Sequence, residues 1–163
     1  MDLEKGKQIF FKYDGSHFNI DRECPKEYKK CEIPKEIEQQ WLEEIKDNFL
    51  KSIDVEKGSH RVALINRYIQ LLDNTSAVYF LIEMLNKKDL DTFSMIILAE
   101  SIKHYLSLNI SDGLKEKINI LLLQLKDVML SGEIKIDECY KKAWYMKDYD
   151  FSTANIMKRI NKL

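Results

Sequence analysis

The chain has 163 residues, within the usual range for one domain and long enough to bury a core without disulfides or metals. Lys and Arg number 26 against 27 Asp and Glu, a net charge of −1 that argues against a general nucleic-acid binder, which carries a basic excess. Hydrophobic residues make up 45% and charged residues 33%, a globular balance with a heavily charged surface; no apolar run approaches the roughly 20 residues needed to span a bilayer.

The opening residues MDLEKGKQ contain no apolar stretch of a secretory leader, so the expected location is the cytoplasm. Residues 8–13 (Gln8, Ile9, Phe10, Phe11, Lys12, Tyr13) are aromatic and β-branched, and Asp14-Gly15 is a two-residue turn signal. Behind it His17, Phe18, Asn19 and Ile20 alternate, with Phe18 and Ile20 on one face of a strand. The pattern predicts a small N-terminal β-hairpin, or a three-stranded sheet if residues 28–33 add a strand, because an isolated hairpin is marginal in water.

The character changes at Pro34, which suits the first turn of a helix, and no proline follows it. Ile37, Trp41, Leu42, Ile45, Phe49 and Ile53 recur at intervals of three and four, the apolar stripe of a long amphipathic helix. A connector with Gly58 follows, then a stripe of Val62, Ile65, Tyr68, Ile69 and Leu72. Residues 73–76 and Asp91 are N-cap candidates for two helices, 77–85 and 93–102, that are apolar nearly all round and are expected at the centre. A fifth helix follows Ser111 with Gly132 as its C-cap, and shorter ones are predicted near 137–147 and 152–162.

The fold class is therefore mainly α: six or seven antiparallel helices, as a HEAT-like array or an orthogonal bundle, with the small N-terminal β element. One domain is expected over 1–163, with 1–33 packed on 34–163. No residue pattern repeats at a fixed period.

Motifs for chemistry are sparse. Five glycines spread along the chain make no phosphate loop, and no cofactor is expected. Cys24, Cys31 and Cys139 match no metal or redox spacing and read as free thiols in a reducing compartment, with no metal site. Of the histidines, His104 follows Glu100 by one helical turn, His60 stands near a helix start, and His17 adjoins the turn of Asp14, Gly15 and Ser16, whose own chemistry accounts for those residues. No catalytic residue is assigned.

Between Pro34 and Asp54 six acids face three bases, and Glu36, Glu38, Glu43, Glu44 and Asp47 are expected largely on the solvent side of the long helix. Such a face is first a solvated surface, and its functional reading is steering toward a basic partner. Glu36, Glu43, Glu44 and Asp47 are the candidate interface residues. Near the C-terminus Tyr140, Trp144, Tyr145, Tyr149 and Phe151 interleave with lysines. They read first as a cap on the helical core, then as protein-interface anchors, and last as a stacking surface for single-stranded nucleic acid.

The stretch from Phe11 through the Asp14-Gly15-Ser16-His17 turn to Glu23, followed by Tyr28, Pro34-Lys35-Glu36-Ile37-Glu38 and Trp41, resembles the start of bacterial immunity proteins of polymorphic-toxin and contact-dependent growth inhibition systems. The likeness covers about the first quarter of the chain and brings no binding residues with it. It implies a cytosolic, non-catalytic antitoxin that binds and blocks one cognate toxin domain, often a basic nuclease. The other function class that fits is an intracellular helical-repeat scaffold or regulator with a peptide- or protein-binding groove on the helices of residues 61–108.

Overall fold

A computed structural model describes residues 2–87 and 89–163. Among them every regular element is helical: α1 (Leu3–Lys12), α2 (His17–Glu23), α3 (Pro25–Lys29), α4 (Lys35–Val55), α5 (Gly58–Ile69), α6 (Asn74–Leu85), α7 (Thr92–His104), α8 (Asp112–Ser131), α9 (Glu138–Lys142) and α10 (Thr153–Asn161), with 3-10 turns at Tyr105–Ser107 and Trp144–Met146. The chain divides into two compact units, Met1–Asp54 and Val55–Leu163.

The N-terminal β-hairpin or sheet is not present; the segment is three short helices. The turn signal itself is real, since Asp14 (φ 52°) and Gly15 (φ 73°) both adopt the left-handed conformation that a two-residue turn demands. What flanks it is decided by burial. Successive helical residues are about 100° apart, so Phe18 and Ile20 point about 200° away from each other rather than sharing a face. Ile20 is fully buried and Phe18 is 73% exposed, the outcome of a helix. Caps support the same choice. Asp2 accepts the Lys5 N–H (3.1 Å) at the start of α1, Ser16 Oγ accepts the Asn19 N–H (3.4 Å) at the start of α2, and Pro25 opens α3. In α1 Gly6 and Phe10, one turn apart, are the buried positions. Gly6 lets the backbone of α1 close on residues 31–33, where a Cβ would meet the Ile33 side chain at 2.4 Å. The core of this unit is Phe10, Ile20, Tyr28 and Cys31 with Trp41, Ile45, Phe49 and Ile53 of α4.

The C-terminal unit is built around α7, which packs against α5, α6, α8 and α10. That position explains a helix with Phe93, Ile96, Leu98, Ala99 and Ile102 all fully buried. Asp73, Asp91, Ser111 and Ser152 cap α6, α7, α8 and α10, each accepting a backbone N–H from the first turn. Gly132 does end α8, with φ −98° rather than in the left-handed form. The predicted helix over 137–147 is shorter: α9 stops at Lys142, Ala143 turns extended, and a 3-10 turn follows. At the other end of the unit, Lys103 of α7 and Lys126 of α8 donate to the carbonyls of Lys162 and Asn161, satisfying the C-terminal end of α10.

Candidate functional site

α4 is the longest helix, and its two faces are opposite in chemistry. Trp41, Ile45, Phe49 and Ile53 are all buried along one side. At about 100° per residue, Glu36, Gln40, Glu43 and Asp47 fall within roughly 60° of one another on the opposite side, with Glu44 at its edge. All four candidate acids are exposed. Glu44 accepts from Lys7 (2.7 Å) and Glu43 from Lys46 and Gln39 (2.9 and 3.0 Å). Exposed ion pairs of this kind add little stability. Glu36 and Asp47 take part in no ion pair among the described residues, so their charges face solvent three turns apart, about 16 Å along the axis.

Glu38 departs from the expected acidic face. It lies in register with Trp41, Ile45 and Phe49, and its side chain is only 16% exposed. There it accepts the phenol O–H of Tyr28 at 2.6 Å and lies 3.2 Å from His17 Nε2. Burial, then the hydrogen bond to Glu38, pushes the Tyr28 hydroxyl well above its ordinary range, so it stays protonated and donating. The rings of Phe10, His17, Tyr28 and Trp41 cluster, Phe10 lying 5.8 to 6.3 Å from the other three between centroids. The cluster joins α1 through α4 into one small core and places His17 by packing. A helical wheel drawn for α4 alone locates Glu38 on the core side; the hydrogen-bonding partner Tyr28 has no such signal.

In the C-terminal unit the five late aromatics divide. Tyr140 is buried, its hydroxyl 2.9 Å from Ser94 Oγ, and desolvation raises its pKa. Tyr140, Tyr149 and Phe151 each pack edge-on to Phe93, with centroids at 4.8, 5.3 and 5.2 Å. Arg159 closes this cap: its guanidinium holds Glu100 through two hydrogen bonds (2.9 and 2.5 Å), bonds Tyr149 Oη (2.8 Å) and lies over the Phe93 ring. Glu100, expected to pair with His104, is therefore committed to Arg159; His104 lies edge-on to Tyr105. Trp144 and Tyr145 are 87% and 60% exposed beside a hollow that also reaches His60 of α5. Three of the five aromatics thus cap the core, and Trp144 and Tyr145 stand at the surface.

Arg61, like Arg159, was not singled out by sequence. Arg61 is 4% exposed, bonds Asp89 at 2.6 Å and leaves its Nε without a partner among the described residues. The Arg61 hydrogen bond is the main reason the Asp89 carboxyl lies below the ordinary range.

Cys24, Cys31 and Cys139 are free thiols. No group of three His, Cys, Asp or Glu among the described residues is arranged to hold a metal ion, and none of the described helices is long and apolar enough to cross a membrane. Comparison with protein-family models, with characterised proteins and with solved structures finds no match.

Proposed function

We propose that the chain is a non-catalytic protein-binding domain, an immunity protein that neutralises a cognate bacterial toxin domain through the outer face of α4. The observation that carries this reading is the row of exposed carboxylates at Glu36, Glu43 and Asp47, directly opposite the buried stripe of Trp41, Ile45, Phe49 and Ile53. The helix is held from behind by Trp41, Ile45, Phe49 and Ile53, so the acids stand on a rigid support. A pre-arranged acidic surface steers a basic partner and speeds its association. A nuclease domain is such a partner, because its active site faces phosphate. The likeness of the first quarter of the chain to immunity proteins supports the same assignment, and three of the quoted residues, His17, Tyr28 and Glu38, meet in the packed cluster that fixes the start of α4.

The test is co-expression. The C-terminal domain of a large reading frame beside this gene is produced in a host with and without the chain. Growth arrest relieved by the chain is the expected result. A neighbourhood without such a frame, or arrest that the chain does not relieve, contradicts the assignment.

A further inference from the structure

The hollow beside Trp144 lies wholly within the C-terminal unit and is independent of the α4 face. Its volume is about 650 Å³, inside the range of roughly 300–1,000 Å³ usual for binding pockets. The floor is made by small or short side chains, Ser59 and Ala63 one turn apart on α5, with Cys139 of α9. Trp144 and Tyr145 form one wall, ring planes 88° apart and centroids 5.9 Å apart. These two are displayed, not left over from poor packing. Residues 141–148 run as a strap between two core anchors, the buried Tyr140 and the Phe93-bound Tyr149, and the 3-10 turn at the middle of the strap turns both rings outward.

Two features specify the occupant. The first is shape. A second hollow of about 240 Å³ shares His60 and Ala63 with the first and continues along α5 to Leu64 and Arg67, with Glu56 also lining it. From Ser59 to Arg67 the groove extends about 12 Å, the length of roughly four extended residues, so it suits a run of polypeptide better than a compact ligand. The second is charge. Lys142 is the one side chain of fixed charge lining the larger hollow, and no carboxylate lines it. The two acids beside Lys142 on this side are engaged: Glu138 holds Lys141 (2.8 Å), and Asp137 accepts the Cys139 N–H (2.8 Å) and lies against Gly58, whereas the carboxylate of Glu56 lines only the smaller hollow. Lys142 itself is exposed and in no ion pair among the described residues.

We propose that this groove binds a peptide segment of a partner protein that carries a bulky apolar side chain and an adjacent carboxylate, the apolar group entering between Trp144 and the Ser59–Ala63 floor and the carboxylate meeting Lys142. A single-stranded nucleic acid would use the same rings but needs a row of cations along its phosphates, and Lys142 and Arg67, with the carboxylate of Glu56 also lining the groove, do not supply one.

The experiment is selection from a random-sequence peptide phage library on the full chain, followed by titration of the selected peptides into wild type, Trp144→Ala and Lys142→Glu. Because Trp144 is 87% exposed, its replacement leaves the fold intact, which the melting midpoint and far-ultraviolet circular dichroism check. The expected result is enrichment of an apolar residue next to Asp or Glu, with a blue shift of Trp144 emission on binding. Affinity should fall at least roughly tenfold in Trp144→Ala, and acidic preference should give way to basic preference in Lys142→Glu. Selection of nothing above background, peptides without acidic enrichment, or equal binding to both variants overturns the proposal. So does tighter binding of an oligothymidylate than of any selected peptide.

Discussion

Gly58 stands at φ +53°, and a Cβ there would come within 2.6 Å of Asp137 Cγ. An L side chain therefore meets both left-handed backbone strain and a carboxyl group whose position is fixed by capping α9. Gly58→Ala is expected to destabilise the protein by about 2 kcal/mol in chemical denaturation, with the slope of the transition unchanged. Asp137 supplies a pH dependence of known sign. The Cys139 N–H, then the Cys139 thiol, hold its carboxyl below the usual range. A depressed carboxyl contributes stability that is complete above the unfolded value of about 4 and is lost as pH falls through the lower folded value. The denaturation midpoint of the wild type should thus decline on acidification below about pH 4, and that of Asp137→Asn should decline less steeply over the same interval. An Asn that left the acid limb unchanged would show that Asp137 is not coupled to folding.

At the scale of elements, the helices after Pro34 were legible because two independent signals agreed. Apolar spacing of three and four located α4, α5 and α8, and Asp73 and Asp91, among the cap candidates of the sequence, cap α6 and α7. The N-terminal segment misled because its aromatic, β-branched composition and its Asp14-Gly15 turn fit a hairpin, while the competing signals were a short-range cap at Ser16 and burial at every third or fourth residue. The two readings give opposite expectations for Phe18 and Ile20. On a strand they share a face and a fate; on α2 only Ile20 is in the core. Ile20→Ala should cost about 2–4 kcal/mol, whereas Phe18→Ala should stay within roughly 0.5 kcal/mol of wild type, read from paired urea titrations. Similar losses at both positions would contradict α2. The predicted helix over 137–147 failed for a related reason: Tyr140 and Tyr149 both seek Phe93, and the strap between them turns at Ala143 to let both reach it.

For the molecule as a whole, a net charge of −1 conceals an uneven distribution, since residues 34–54 alone hold six acids against three bases. The helical period carried that excess onto one face, so Glu36, Glu43, Glu44 and Asp47 could be named from sequence. The same period sets Glu38 apart on the core side, but the partner that accommodates it there, a tyrosine ten residues away, has no local signal. The Trp144 groove was illegible for a different reason: its floor and wall come from residues about 80 positions apart, and only folding brings α5 to α9. On the proposed function the outer face of α4 binds a basic protein partner. The direct test is the affinity of the chain for the proposed toxin domain, measured at about 50 and about 300 mM salt for wild type and for Glu36→Lys with Asp47→Lys. Both positions are exposed and in no ion pair among the described residues, so the fold should be unaffected. Affinity is expected to fall by roughly tenfold or more in the double variant, with a much flatter dependence on salt. Unchanged affinity and an unchanged salt dependence would contradict it.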